Sequence, residues 1–340
     1  MHNLASRALI GLLATSCALM IAGCSGNPGD GGSSGSPSPT DTEPTSTSTS
    51  TAPKVTVKDA SAVTVTGDFN TAPTVDGPYP FKVDKSICSV LTAGDGNTVG
   101  ATSVVELQYT GIDATTGETF DSSFFNGQTL LGQNGGFVTG FNKCLTGKAV
   151  GSRLLMLISG ADGYDSAGGQ SDAGIAVGDS LVFVVDIIAA EYEKPEGQQV
   201  ATGNQWVSVT DNKGVPTAKV TPGLPAPNDV QSTVLIQGAG RPVAVGDAIY
   251  VNWFTMDYNT GRMIENSYTD GAGPQAALLA NLIPGWRQVL VGVPMGSRVL
   301  IIVPGSQAYP QGNATPSITP NATLVCVVDI LFSFVPQQQS

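Results

Sequence analysis

The chain repeats itself at one long spacing. Gly94-Asp95-Gly96 recurs as Gly238-Ala239-Gly240, and Thr116-Gly117-Glu118 as Thr260-Gly261-Arg262, both 144 residues on. Gly151-Ser152-Arg153 recurs as Gly296-Ser297-Arg298 and Tyr164 as Tyr309, at an offset of 145. Leu181-Val182-Phe183-Val184-Val185-Asp186-Ile187 recurs as Leu324-Val325-Cys326-Val327-Val328-Asp329-Ile330, at 143. Even the lead-ins match, Ala72-Pro73-Thr74 with Val215-Pro216-Thr217. Offsets this constant mean tandem duplication of a unit of roughly 140 residues, too long for a solenoid turn, so each copy should fold alone. The copies are placed at 55–193 and 205–335. Residues 194–204, with Lys194-Pro195 and Gly197-Gln198-Gln199, form the expected linker.

Within a copy the apolar period is mostly two. Val104 to Tyr109, Arg153 to Ile158 and Leu181 to Ile188 read as strands. A glycine-rich loop, Gly160 to Gly178, joins the last two. Phe137, Phe141, Cys144 and Leu145 fall on one face of a short helix, repeated as Ile283, Trp286, Val289 and Leu290. The expected class is therefore α+β: two tandem domains, each an antiparallel β-sheet wrapped on one short α-helix. With 42 Gly and 22 Pro in 340 residues, long helices and coiled coils are excluded.

Charge and histidine narrow the chemistry. Fifteen Lys and Arg stand against 27 Asp and Glu, a net of −12, with no basic block, so nucleic acid is not an expected partner. The one histidine is His2, in a segment expected to be removed. Histidine-based nucleophilic catalysis, proton shuttles and histidine zinc sites are thereby excluded, and no metal or other cofactor is expected.

Residues 1–23 read as a secretory signal: Arg7 precedes a mostly apolar run from Leu9 to Ile21, too short to span a bilayer. It ends in Ile21-Ala22-Gly23-Cys24, which resembles the bacterial lipobox, with Cys24 as the acylated residue. Residues 24–54 are a Ser/Thr/Gly/Pro tether too polar to offset ordering entropy. Its composition permits O-glycosylation. The expected location is the outer face of the bacterial cell membrane, held by lipid. Export permits disulfides. Cys88 and Cys144 both fall in the first copy and are the expected bridge, while Cys326, in an apolar run, reads as a small buried hydrophobe.

Tyr109-Thr110-Gly111 followed by Phe120-Asp121-Ser122-Ser123 resembles the hallmark of FKBP-type peptidyl-prolyl cis-trans isomerases. The likeness continues through Phe137-Val138-Thr139-Gly140-Phe141, Gly151-Ser152-Arg153, Tyr164 and Leu181-Val182-Phe183. It covers nearly all of 97–191 and, more loosely, 241–334. With the lipobox, the plan resembles the tandem FKBP lipoproteins of actinobacteria. The resemblance implies two FKBP-like domains acting on proline-containing polypeptide clients, with macrolide immunosuppressants as further ligands. It implies that Tyr109, Phe120, Phe141 and Phe183 wall a proline pocket with Phe141 as its floor. Val138 would offer its N–H to the substrate beside Phe137, and Tyr164 would donate to the carbonyl before the proline. Asp121 would hold the polar edge and Ile175 the rim. Taken singly, each aromatic reads equally as core, Asp121 as a turn or cap residue, and Ser122 and Ser123 as turn formers.

Departures accompany the likeness. The floor is Phe141 where the family has Trp, a further aromatic near Gly127 is missing, and the Ile-Pro-Pro loop is replaced by Ile175-Ala176-Val177-Gly178. In the second copy Trp253 stands for the tyrosine, Ile264-Glu265 for Phe-Asp, and Cys326 for the third aromatic. Ile283, Trp286, Ile318 and Tyr309 keep the family's types, and Trp286 and Tyr309 are carried as substrate-binding candidates. The expectation is an active first copy and a second whose pocket is degenerate. A non-catalytic binding module or chaperone of the same fold is the alternative. A solute-binding lipoprotein, which needs alternating βαβ units, is disfavoured by the duplication and the scarcity of helices.

Overall fold

The computed structural model describes residues 54–125, 127–271 and 273–336. The segment expected to be a signal with His2, the expected lipidation site Cys24 and the expected tether up to Pro53 lie outside the described residues.

The first copy opens with β1 (Val55–Thr56), β2 (Thr64–Thr66), β3 (Thr74–Asp76) and β4 (Phe81–Lys82). Next come β5 (Ile87–Thr92), β6 (Val104–Asp113), β7 (Thr119–Ser122), β8 (Leu130–Gln133), α1 (Thr139–Leu145), β9 (Arg153–Ile158) and β10 (Leu181–Ala190). The main sheet runs β5-β9-β10-β6, and the two halves of β6 are paired on their outer side by β7 and β8. All of its pairings are antiparallel.

The second copy is β11 (Gln198–Gln199), β12 (Val207–Asn212), β13 (Val215–Val220), β14 (Gln231–Gln237), β15 (Ala248–Asp257), β16 (Met263–Asn266) and β17 (Gln275–Leu278). It ends with α2 (Pro284–Leu290), β18 (Arg298–Val303) and β19 (Leu324–Phe334). Its sheet order, β14-β18-β19-β15 with β16 and β17 beyond, repeats the first copy, and β11 adds an edge strand on β14.

A sheet on one helix is half of the architecture. The helix covers one face, where Phe141, Cys144 and Leu145 pack on Leu107, Met156, Ile158, Phe183 and Val185. Residues 55–83 cover the other, bringing Val57, Val63, Phe81 and Val83 onto Leu155, Leu157, Val182 and Val184. In the second copy the β12–β13 hairpin does the same, with Val207 and Val209 against Leu300, Ile302, Val325 and Val327. The reason lies in β10 and β19. Leu181 to Val185 and Leu324 to Val328 are apolar at both parities, so both faces must be covered.

A buried ion pair pins each covering hairpin. Arg153 grips Asp186 through Nε (2.7 Å) and Nη2 (2.6 Å) and donates to the carbonyls of Gly67 and Thr71. Arg298 grips Asp329 at 2.6 and 2.8 Å and reaches Asp211 and the carbonyl of Gly214. Such forked pairs are costly to break from one side, because the partner is left buried and charged.

Three sequence expectations are corrected. The helix starts at Thr139, because Val138 is extended (φ −60°, ψ 149°), so Phe137 precedes the helix. Residues 194–204 are no free linker: Glu196 N–H donates to the carbonyl of Gly296, and Gln198–Gln199 form an edge strand on β14. Just upstream, Tyr192 N–H donates to the carbonyl of Leu331, and Ala189 and Tyr192 are buried in the second copy's core. Polar Gln198 and Gln199 carry no apolar period to announce a strand. Lys54, assigned to the tether, makes an ion pair with Asp179 at 2.6 Å. A disulfide joins Cys88 on β5 to Cys144 on α1, with Cα atoms 5.5 Å apart, and Cys326 is free and buried.

Candidate active site

Alternation along β6 puts Leu107, Tyr109 and Gly111 on the helix-facing side. Opposite Gly111 lie Phe183 on β10 and Asp121 on β7. Only glycine fits there: a Cβ would stand 2.7 Å from Phe120 Cζ and 2.8 Å from Phe183 Cε1. Gly140 lets α1 close onto the sheet in the same way, since its Cβ would meet Ile158 Cγ2 at 2.7 Å.

The rings converge around Phe183. Its centroid is 5.6 Å from Phe120 and 5.2 Å from Phe141, both edge-on, and 6.5 Å from Tyr109. Phe137 lies 5.0 Å from Phe141. Val138, Tyr164 and the buried Ile175 belong to the same apolar cluster. The structure thus brings together all nine residues named for the first copy, with Asp121 at the edge. No ring stands at Gly127, whose α-carbon has open space beside it.

The polar edge is built from Asp121, Tyr109 and Tyr164. Tyr109 donates its hydroxyl to the Asp121 carboxylate. Burial, reinforced by that carboxylate, raises the Tyr109 phenol well above its ordinary value. Burial raises Tyr164 too, and the charge of Asp121 adds to it. Both phenols therefore stay protonated donors at neutral pH. Among the described residues the Tyr164 hydroxyl and the Val138 N–H have no partner, and both residues pack against the apolar cluster. Ser122 and Ser123 are structural: Ser122 donates to the Tyr109 carbonyl at 3.0 Å, and Ser123 accepts the Tyr109 N–H at 2.8 Å.

In the second copy the site is remodelled rather than lost. The cleft there, about 530 Å³ counting its open mouth, is lined by Trp253, Thr255, Glu265, Trp286, Tyr309 and Cys326 among others. Trp286 and Tyr309, the two substrate-binding candidates of this copy, both line it. Removing the rings at the Phe120 and Phe183 positions leaves space, and Trp286 supplies a floor. Trp253 Nε1 donates to Glu265 at 3.3 Å, in the place of the Tyr109–Asp121 contact. Burial raises Glu265 above the usual carboxylate range and pushes the Cys326 thiol up to about 11. Cys326 stands, as aligned from the sequence, at the Phe183 position, whereas Thr255, which the repeat offset places at Gly111, was not singled out.

Comparison with known proteins gives a consistent picture. The model of the family described as FKBP-type peptidyl-prolyl cis-trans isomerase matches residues 96–188 and 240–331, more than half of the chain. A probable FK506-binding protein of Corynebacterium glutamicum is 32% identical over 108 residues, covering 32% of this chain and 89% of that protein. The isomerase FkpA of Escherichia coli is 30% identical over 143 residues, 42% of this chain and about half (49%) of that protein. The crystal structure of FkpA aligns with a TM-score of 0.29 and 29% identity, over 33% of this chain and 52% of that one.

Proposed function

The chain belongs to the FKBP-type peptidyl-prolyl cis-trans isomerases, and on that premise we propose that its first copy is the catalytic one, exported and lipid-anchored, acting on secreted polypeptides. The observation that carries the assignment is the convergence of Tyr109, Phe120, Phe141, Phe183 and Tyr164 in one apolar cluster with Asp121 at its edge.

Rotation about an X–Pro bond must break amide resonance, a barrier of about 18–20 kcal/mol. No bond to the enzyme is needed. The twisted amide is less polar than the planar one, so a dry aromatic hollow favours it over the ground state. The proline ring packs among Phe120, Phe141 and Phe183. Tyr164 donates to the carbonyl ahead of the proline, and Val138 N–H binds the peptide backbone. Tyr109 restrains Asp121 beside the amide. Each ~1.4 kcal/mol of preference for the twisted form is worth tenfold in rate.

Export is supported by Cys24 behind an apolar run and by the Cys88–Cys144 disulfide, which suits an oxidising compartment. No helix among the described residues is long and apolar enough to cross a membrane, so attachment in this reading rests on Cys24. Macrolide immunosuppressants should compete with proline peptides for the first hollow.

The open cleft of the second copy favours a second reading for that copy alone: peptide binding without turnover. The test is an isomerase assay on the full chain with Tyr164→Phe plus Asp121→Leu, or with Tyr309→Phe plus Glu265→Leu. Loss only in the first pair is expected. Loss only in the second, or a wild-type rate equal to the uncatalysed one, overturns the assignment. Client aggregation suppressed by every variant would identify the binding reading.

A further inference from the structure

The loop that carries Ile175 into the first copy's aromatic cluster is held differently in the two copies. In the first, Ala176 to Asp179 form a turn closed by Asp179 N–H on the Ala176 carbonyl (3.2 Å), with Gly178 left-handed at φ 87°. In the second, Thr319 to Asn321 and Ala322 form the same turn, closed by Ala322 N–H on Thr319 (3.2 Å), with Asn321 at φ 57°. Such turns favour proline at their second position. The second copy has it, Pro320. The first has Val177.

Upstream, both loops are tied alike. Gln170 and Ile175 exchange backbone hydrogen bonds at 2.8 and 3.0 Å, as Asn313 and Ile318 do at 2.9 and 2.8 Å. Downstream they differ. Asp179 is buried, accepts the Ala176 N–H at 2.8 Å and the Thr115 hydroxyl at 2.5 Å, and pairs with Lys54 at 2.6 Å. The second copy has Ala322 there, and its lead-in, Gly197-Gln198-Gln199, carries no cation.

We propose that Lys54 is a positioning residue for the first copy's pocket, locking through Asp179 the turn behind Ile175 that a proline locks in the second copy. The inference rests on the first copy being catalytic. Lys54 lies outside the family match, which begins at residue 96, so it belongs to this chain's own lead-in. Without it, Asp179 would face the buried Asp113 with no cation between the two turns. The charges around Asp179 work in this direction: burial pushes it up, and Lys54, Thr115 and the Ala176 N–H together hold it below the ordinary carboxylate value. The same carboxylate ties the β6–β7 turn, which leads to Phe120 and Asp121, to the rim loop.

The test uses the full chain with Lys54→Met, Lys54→Arg, and Lys54→Met combined with Val177→Pro. Val177 is exposed, and its N–H has no partner among the described residues, so proline removes no bond. For Lys54→Met the expected result is a KM for a proline peptide raised by about tenfold, with a smaller change in kcat. Amide exchange at Ala176 should quicken. Lys54→Arg should keep both near wild type, and Val177→Pro should restore both in the methionine background. A folded Lys54→Met chain with wild-type KM and exchange overturns the proposal, and so does failure of Val177→Pro to restore them. A wild-type chain without isomerase activity would sink the functional assignment instead, and Ala176 exchange would still decide the role of Lys54.

Discussion

Gly111→Ala probes the packing of the first copy's aromatic cluster. The added Cβ would lie 2.7 Å from Phe120 Cζ and 2.8 Å from Phe183 Cε1, about 0.7 Å inside an ordinary 3.4 Å contact. Neither atom ends a flexible chain, and Phe183 is wedged edge-on between Phe120 and Phe141. The rings must turn or the strands must part. Overpacking of this kind costs about 1–3 kcal/mol, or roughly 4 °C in midpoint per kcal/mol for a domain of this size. Displaced walls should cost more in catalysis, about tenfold or above in kcat/KM.

The second copy supplies the control. Thr255 occupies the Gly111 position, and Cys326 faces it where Phe183 stands in the first copy. Gly111→Ala combined with Phe183→Cys should therefore regain stability relative to the sum of the single effects, with a coupling of about 1–2 kcal/mol. Activity should stay low, because a wall of the hollow is gone. Thermal unfolding and an isomerase assay on the three variants decide it. Full kcat/KM in Gly111→Ala, or strictly additive stabilities, would refute the packing account.

Three further outcomes follow from the same geometry. Tyr164→Phe should lower kcat/KM by about two- to tenfold with little change in midpoint, because its hydroxyl has no partner in the described chain; steady-state kinetics beside a melting curve checks this. Burial and Asp121 raise Tyr109 and Tyr164, so the folded chain resists their deprotonation more than the unfolded chain does. Stability should then fall as pH climbs past about 10, while kcat/KM stays level from about pH 6 to 9. A pH series of unfolding and rate measurements would expose a phenol limb below pH 9 if the reasoning were wrong. The Cys88–Cys144 bridge spans 56 residues, so its reduction should cost the first copy about 4 kcal/mol, seen by calorimetry with and without reductant.

The long strands were legible because their signals are local. Leu181 to Ile188 and Arg153 to Ile158 are dense in β-branched and aliphatic residues, and repetition doubles the evidence. The covering layer was not legible. Its strands β1 to β4 are two or three residues long, too short to show a period. The Arg153–Asp186 pair was missed for a different reason: its members lie 33 residues apart, and a charge read alone looks solvated. The aromatic set could be named because the motif fixes spacing as well as residue type. Lys54 could not, since a lysine at the end of a Ser/Thr/Pro stretch gives no hint of a buried carboxylate 125 residues away. The size of the second cleft was not legible, because the volume beside Trp286 depends on side chains that distant strands bring together.

Parity within the strands explains how two copies can share a fold and differ at the site. In β10, Val182, Val184 and Asp186 face the covering layer, while Leu181, Phe183, Val185 and Ile187 face the helix. In β19, Val325, Val327 and Asp329 face the cover, and Leu324, Cys326 and Val328 face the helix. The forked Arg–Asp pair stands on the cover side in both copies, and Phe183, which the second copy replaces with Cys326, stands on the other side. Exchanging Phe183 for a cysteine therefore changes the hollow without touching the pair that pins the hairpin. One sheet thus carries two nearly independent surfaces. Substitutions on the helix side should alter ligand choice at modest cost, whereas substitutions on the Arg153 or Arg298 side should cost stability first, about 3–5 kcal/mol when one partner is removed.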